Sequence, residues 1–275
     1  MGEPRWGPAA SVIVRTFESA STVEFTLASV RAQTYAAEVV VVDSGSTDGT
    51  LDLVAPYADR IVHLTQEEFT FGRALNVGAA AAAAPVHVAL SSHTCLPHPH
   101  WLETAVNHIA AGAVAAGGAQ VDGQRHLLTG PLKVTSDVLE RHPHWGVSHH
   151  ASAWSADVWR EHPFDETLPA AEDREWSLRA VHGHRYLVVD PVLFVPGLHR
   201  RTGGVRSYYH RLLREMSAMN SRRVGTPFGV ADALAEWAAR NPHDGFTSDA
   251  RRFGRTRLVE VAARYVAGRR ARRRA

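Results

Sequence analysis

Lysine is almost absent from this chain: Lys133 is the only one, and every other member of the 30 Lys and Arg residues is arginine. With so much alanine alongside, this reads as the mark of a GC-rich genome and not of function. Cysteine is as scarce. Cys95 stands alone, which excludes an intrachain disulfide and fits a reducing compartment. No apolar run is long enough to span a bilayer, and the opening residues MGEPRWGPAA lack the apolar core of a signal peptide. The expectation is a cytoplasmic protein, or one lying peripherally at the inner face of a membrane. Net charge is small too, formally +2, so the molecule as a whole does not read as a nucleic-acid binder. What remains is an ordinary globular composition, 45% hydrophobic and 21% charged over 275 residues. That is enough for one large α/β domain with an appendage, or for two small domains.

The most informative stretch is residues 39–50, VVVVDSGSTDGT. A run of β-branched residues ends in Asp43, a polar glycine-containing turn follows, and Leu51, Leu53 and Val54 continue with helical spacing. A continuous valine run suits a parallel strand covered on both faces, and open α/β sheets bind ligands at the carboxyl ends of such strands. Asp43 then stands where it can accept hydrogen bonds from a base or a ribose. The plainer alternative is a strand–turn–helix with Asp48 as a cap.

The rest of the chain extends this pattern. Residues 11–16 (SVIVRT) read as a strand and 22–33 as a helix, so the opening is strand–helix–strand, the start of a parallel sheet. A helix over 51–57, a strand over 60–64 and a glycine-containing turn leading into an Ala-rich helix over 69–84 follow. Residues 86–90 (VHVAL) form the next strand, ending in the polar turn Ser91-Ser92-His93-Thr94, and 101–111 are a helix. The segment 117–146 has no clear pattern. Glu172 and Asp173 open a helix through Trp176, Leu178, Ala180 and Val181; an acidic first turn that suits the helix dipole is the structural alternative there.

Taken in order, SVIVRTFES, AQTY, VVVVDSGSTDGT, GRALNVGAA and the later PFDETLPAAEDREW resemble the family 2 glycosyltransferases over residues 11–201. The resemblance implies a GT-A (nucleotide-diphospho-sugar transferase) fold, α/β with a mostly parallel central sheet flanked by helices, plus here a C-terminal helical appendage. It also implies inverting transfer of a sugar from a UDP- or dTDP-sugar to an acceptor hydroxyl on a glycan, a lipid-linked molecule or a small molecule. The expected organisation is a tail at 1–10 and a catalytic domain at 11–204. Within that domain 11–97 hold the nucleotide and 98–204 the acceptor, and 205–275 form a helical extension with a basic tail.

On that reading Thr16, Glu18 and Asp43 hold the nucleoside at two adjacent strand ends. Gly72, Arg73 and Asn76 meet the phosphates, since a helix N-terminus with a cation beside it attracts anions. Asp173 is the general base that takes the acceptor hydroxyl's proton, with Glu172 orienting the acceptor or the loop. A carboxylate below the ring also stabilises the oxocarbenium-like transition state.

The chain departs from the family at Ser91-Ser92-His93, where an Asp-x-Asp pair usually holds a divalent metal. Members similar to rhamnosyltransferases depart there as well. Three readings stand: Mn²⁺ or Mg²⁺ held by His93 and His199, a metal-free site in which His93 donates to phosphate, or a degenerate inactive one. Imidazole suits Mn²⁺ better than Mg²⁺. The 17 histidines include several His-x-His pairs, but no spacing makes a closed zinc site and no cysteine supports one. Trp145 and Trp154 are candidates to line the acceptor pocket.

Residues 205–223 read as a long basic helix and 230–239 as another. From Arg252, the apolar residues Leu258, Val261, Ala262, Tyr265 and Val266 share a helical face before the closing GRRARRRA. Such a terminus can dock on an anionic membrane or on its own catalytic domain, or remain a solvated tail. Oligomeric state has no signature here. A nucleotidyltransferase shares the sheet architecture but needs a glycine-rich, lysine-bearing opening loop that is missing. A sugar-nucleotide-binding protein without catalysis is the remaining rival.

Overall fold

A computed structural model of the chain describes residues 8–118, 128–141, 145–196 and 205–221, then residues 259, 262–263, 265–271 and 273. Strands β1 (Ala10–Thr16), β2 (Ala37–Asp43), β3 (Arg60–His63) and β4 (Val86–Ser91) alternate with helices α1 (Val23–Arg31), α2 (Thr50–Val54) and α3 (Phe71–Ala81). Next come α4 (Trp101–Ala110), β5 (Ala115–Gly117), β6 (Leu132–Val134), α5 (Ser136–Arg141), β7 (Ala151–Ser155) and α6 (Ala156–Glu161). Helix α7 (Glu172–Ala180), β8 (Leu187–Val189), a 3-10 turn at Pro191–Leu193 and α8 (Val205–Ser221) complete the order. The segment 117–146, unpatterned in sequence, contains β6 and α5; residues 119–127 and 142–144 lie outside the described set.

The strands form one sheet in the order β3-β2-β1-β4-β7-β5-β8-β6. Its first half is parallel, as βαβ connections require. Alternate residues of the valine run serve opposite faces. Val39 and Val41 pack with α1 and α4 residues such as Leu27 and Leu102, while Val40 and Val42 pack with α3 and α7 residues such as Leu75 and Trp176. Gly78 lets α3 lie close on β1, because a Cβ there would meet Ile13 Cγ2 at 2.4 Å. Parallel register sets Thr16 opposite Asp43 and Arg15 opposite Ser91 at the carboxyl end of the sheet.

β7 is one of the elements that sequence did not reveal. It runs antiparallel to β4, with Leu90 opposite Ala151, so the residues just before it arrive at the same carboxyl end. The Ser91 N–H donates to His150 O at 2.9 Å. Trp154 corrects an expectation: it is fully buried in β7, packed against Phe164 and Trp176 as part of the core. Trp145 is partly buried against the same core cluster.

His87 is buried on β4, with its ring edge-on to Trp154 at 6.0 Å and no hydrogen-bond partner at either nitrogen. Burial first, and the charge of Arg160 second, pull its pKa from 6.5 to about 4. A lowered histidine pKa stabilises the fold above its unfolded value, and that stability is lost as pH falls through the window from about 6.5 to 4. The loss is expected to approach about 3 kcal/mol, at 1.36 kcal/mol per pH unit. Urea denaturation of the wild type and of His87→Leu across this window checks it; parallel curves would show that the ring titrates normally in the folded state.

The chain divides into two compact units, Met1–Thr167 with Glu172–Arg200, and Leu168–Ala171 with Arg201–Ala275. In the second, Leu213 on α8 is buried with Ala263 and Ala267. The buried terminal face is therefore carried by these alanines, while Ala262 and Tyr265 are exposed. The helix expected over 230–239 and the loop at 200–204 lie outside the described residues. No helix among those described is long and apolar enough to cross a membrane.

Candidate active site

The loops that leave β1, β2 and β4 are tied to one another by side chains. Asp43 is buried, and its Oδ2 accepts the N–H groups of Gly45 at 2.9 Å and Ser46 at 3.0 Å, while Ser46 Oγ donates to Oδ1 at 2.6 Å. Its short side chain thus folds its own turn. Glu18 sits at φ 47°, and its carboxylate accepts from Thr47 N–H at 2.7 Å and Thr47 Oγ1 at 3.1 Å. The Ser19 N–H donates to Thr50 Oγ1 at 2.8 Å, and the Ala20 N–H to Asp48 Oδ2 at 3.0 Å. Asp48 also accepts from the Thr50 N–H at 3.1 Å, so it links two loops as well as turning its own. Ser92 is buried with its hydroxyl 2.8 Å from Ser19 Oγ.

Two hydroxyls at this edge stand out. Thr16 Oγ1 and Ser44 Oγ are buried and have no partner, beside the Asp43 carboxylate and at adjacent strand ends. Buried hydroxyls are seldom left unpaired, so this corner holds more donors and acceptors than the fold itself uses.

The expected phosphate residues have other work. Gly72 lies inside the first turn of α3, not in a loop before it, and a Cβ there would meet the Asp165 carbonyl at 2.6 Å. Arg73 forms ion pairs with Glu68 at 3.6 Å and Glu166 at 3.5 Å. Asn76 donates to Phe164 O and Glu166 Oε1, both at 2.9 Å, and accepts from Trp159 Nε1 and the Phe164 N–H, both at 3.0 Å. A carboxamide has two N–H donors and two lone pairs, so Asn76 is saturated. It latches the 164–166 segment to α3 and has nothing left for a phosphate.

The acidic side gathers residues from three elements. Arg15, at the end of β1, donates from Nη2 to His149 O at 3.1 Å and places Nη1 3.8 Å from Glu172 Oε1, with Phe71 beneath it at 5.5 Å. His149 puts Nδ1 3.3 Å from the same Glu172 oxygen, and its N–H donates to Asp173 Oδ2 at 3.4 Å. Burial pushes the Glu172 carboxyl upward, but the hydrogen bond and charge of His149, with Arg15, outweigh this and hold it below the usual range. Arg15 has its own pKa lowered by burial, against the opposing pull of Glu172 and Asp173. Glu172 is thus buried, ionised and neutralised. Asp173, also accepting the Arg174 N–H at 2.8 Å, remains partly exposed. One carboxylate is buried and its neighbour is partly exposed.

Arg15 and His149 were not singled out as site residues by the sequence. A charge closing the apolar run VIV was a signal for Arg15; nothing separated His149 from sixteen other histidines.

For a divalent cation the turn after β4 supplies no carboxylate. Ser92 is engaged with Ser19, and the His93 ring is edge-on to His150 at 5.7 Å. This is not the oxygen-rich set that Mg²⁺ takes. His199, the second expected ligand, lies outside the described residues. Among the described residues His149, Glu172 and Asp173 bring three ligand atoms within 4.8 Å of one another, but the guanidinium of Arg15 against Glu172 opposes a cation there.

Residues 11–146 match the family described as glycosyl transferase family 2. Among curated proteins, the chain is 31% identical over 122 residues to glycosyltransferase AglE of Haloferax volcanii, covering 42% of this chain and 40% of that one. It is 41% identical over 86 residues to validoxylamine A glucosyltransferase of Streptomyces hygroscopicus subsp. jinggangensis, covering 29% of this chain and 20% of that one. The chain therefore spans well under half the length of these relatives. Of solved structures, the mannosyltransferase PcManGT of Pyrobaculum calidifontis, in complex with GDP-Man and Mn²⁺, superposes with a TM-score of 0.69 at 18% identity, over 96% of this chain and 88% of that one. Glucosyl-3-phosphoglycerate synthase of Mycobacterium tuberculosis, with Mn²⁺, UDP-glucose and phosphoglyceric acid, gives 0.55 at 20% identity, over 78% and 80%. The fold these structures share with the chain is GT-A.

Proposed function

From the premise that this chain belongs, over residues 11–146, to glycosyl transferase family 2, we propose that it moves a sugar from a UDP- or dTDP-sugar to an acceptor hydroxyl with inversion. The observation that carries the reading is the split between adjacent carboxylates. Glu172 is buried against Arg15 and His149, while Asp173 is open at the helix start. In the reaction the acceptor oxygen attacks the anomeric carbon as its proton passes to Asp173. The bond to the diphosphate breaks, and its electron pair leaves with the nucleotide. Asp43, Thr16 and Ser44 receive the nucleoside at the ends of β2 and β1. The acceptor belongs in front of Asp173; whether it is a glycan, a lipid-linked molecule or a small molecule is a matter for assay.

A panel of nucleotide sugars tests this directly. The correct donor raises the melting temperature, since a ligand bound only by the folded state stabilises it, and is turned over with an acceptor or slowly by water. Stabilisation with no turnover would instead support a binding protein without catalysis, the reading favoured by Ser91-Ser92-His93. Chelation decides how the diphosphate is neutralised. If His93 and His199 hold a cation, activity vanishes in excess EDTA and returns better with Mn²⁺ than with Mg²⁺. Full activity in EDTA makes His93 a direct phosphate donor.

Asp43→Ala is expected to weaken UDP or dTDP binding by about 1.5–3 kcal/mol, the scale of a hydrogen bond to a charged group. Calorimetry measures it. Unchanged affinity in a folded variant would move the base to another strand end.

A further inference from the structure

Three charged residues meet at the acidic side of the site, and one further residue touches all of them through three different groups. The His149 carbonyl accepts from Arg15, its main-chain N–H donates to Asp173, and its Nδ1 faces Glu172. The ring itself is buried, edge-on to Phe164 at 4.8 Å and tilted against Trp154 at 5.7 Å. The β4–β7 pairing two residues later fixes the backbone. Little in that arrangement can move.

We propose that His149 is the positioning residue of the transfer reaction: it holds Glu172 with Arg15 and so leaves Asp173 as the carboxylate presented to the acceptor. This rests on the reading of Asp173 as the base. With Glu172 ionised, a carboxylate only accepts, so Nδ1 carries the proton between them. Without that donor, Glu172 keeps its own main-chain N–H and the 3.8 Å contact with Arg15, the latter too long for a hydrogen bond. A buried carboxylate short of donors takes up a proton more readily. Once Glu172 is neutral it no longer holds Arg15, and the guanidinium pairs with Asp173 instead and draws that carboxylate from the acceptor. The groups facing the pair are Arg15 from β1 and His149 from the segment before β7, so the effect passes through these two.

The experiment uses the full chain, the donor found in the nucleotide-sugar panel, and three variants. His149→Phe keeps the aromatic packing and removes Nδ1. His149→Gln places an amide at the reach of Nε2 and cannot serve Glu172. His149→Asn restores an N–H donor at the reach of Nδ1. In His149→Phe and His149→Gln, kcat is expected to fall about 10- to 100-fold, the scale of a misplaced reacting group, with donor KM within about twofold. The acid limb of the rate profile is expected to move up as Glu172 loses its donor. His149→Asn should recover most of the rate and the wild-type limb. A packing role alone would lower the melting temperature and leave the pH profile where it was. If Asp173→Asn is inactive while His149→Phe, or His149→Gln should the former not fold, keeps the wild-type kcat and profile, this proposal fails and the base assignment stands. If Asp173→Asn retains full turnover, the base assignment fails first. Restoration of His149→Phe by added Mn²⁺ would make His149 a metal ligand and overturn the positioning role.

Discussion

Asp173→Asn should lose a factor of about 10²–10⁴ in kcat while binding the donor as the wild type does, because a positioned base contributes on that scale. The substitution is close to isosteric. Asparagine keeps one acceptor oxygen, which can hold the Arg174 N–H now on Oδ1 at 2.8 Å while the longer 3.4 Å contact of the His149 N–H with Oδ2 is given up. What it cannot do is take a proton at neutral pH. Donor affinity is the internal control, since Asp43 and Thr16 sit at the ends of β2 and β1. Near wild-type turnover in a folded Asp173→Asn would falsify the assignment. Glu172 would be the next candidate, but as a buried carboxylate paired with Arg15 and His149 it would first have to be uncovered.

The largest effect on stability is expected at Trp154. Its indole is fully buried among His87, His149, Phe164 and Trp176. Truncating a core tryptophan to alanine costs about 3–5 kcal/mol through lost transfer energy and the cavity left behind. For a chain of this size that lowers the melting temperature by roughly 6–20 °C. Trp154→Phe should recover much of the loss, the more so because the indole N–H it removes is buried without a partner. The contrast with an acceptor-pocket role is sharp: a pocket tryptophan changed to alanine would keep the melting temperature and raise the acceptor KM.

These two residues show what could and could not be read before the fold was seen. The parallel first half of the sheet was legible because it rests on local signals. VVVV before Asp43 needs both faces covered, and strand–helix alternation in a parallel sheet puts Thr16, Asp43 and Ser91 at one edge without further information. Glu172 and Asp173 were legible as a helix start. The meeting of Arg15 with His149 was not, since it depends on β7, whose sequence ASAWS has neither a long apolar run nor a turn signature before it. Trp154 was misplaced for the same reason. A tryptophan near polar residues looks like a sugar platform until the strand that buries it is recognised. Gly72 and Asn76 were read as phosphate groups from their place at a helix start, and what they contact is the 164–166 segment, which sequence spacing does not bring near. His199 lies outside the described residues and awaits the chelation test.

The cross-ties among the loops after β1, β2 and β4 bear on entropy. Glu18 to Thr47, Ser19 to Thr50 and to Ser92, and Ala20 to Asp48 hold backbone that in many binding sites is ordered only when a ligand arrives. Here that ordering is completed when the chain folds. Any ligand bound at this edge, the donor on the proposed reading, is relieved of the cost of freezing loop residues, about 1–2 kcal/mol of conformational entropy for each one. On the proposed reading a donor meets a preformed surface here, and its affinity depends on contacts more than on ordering.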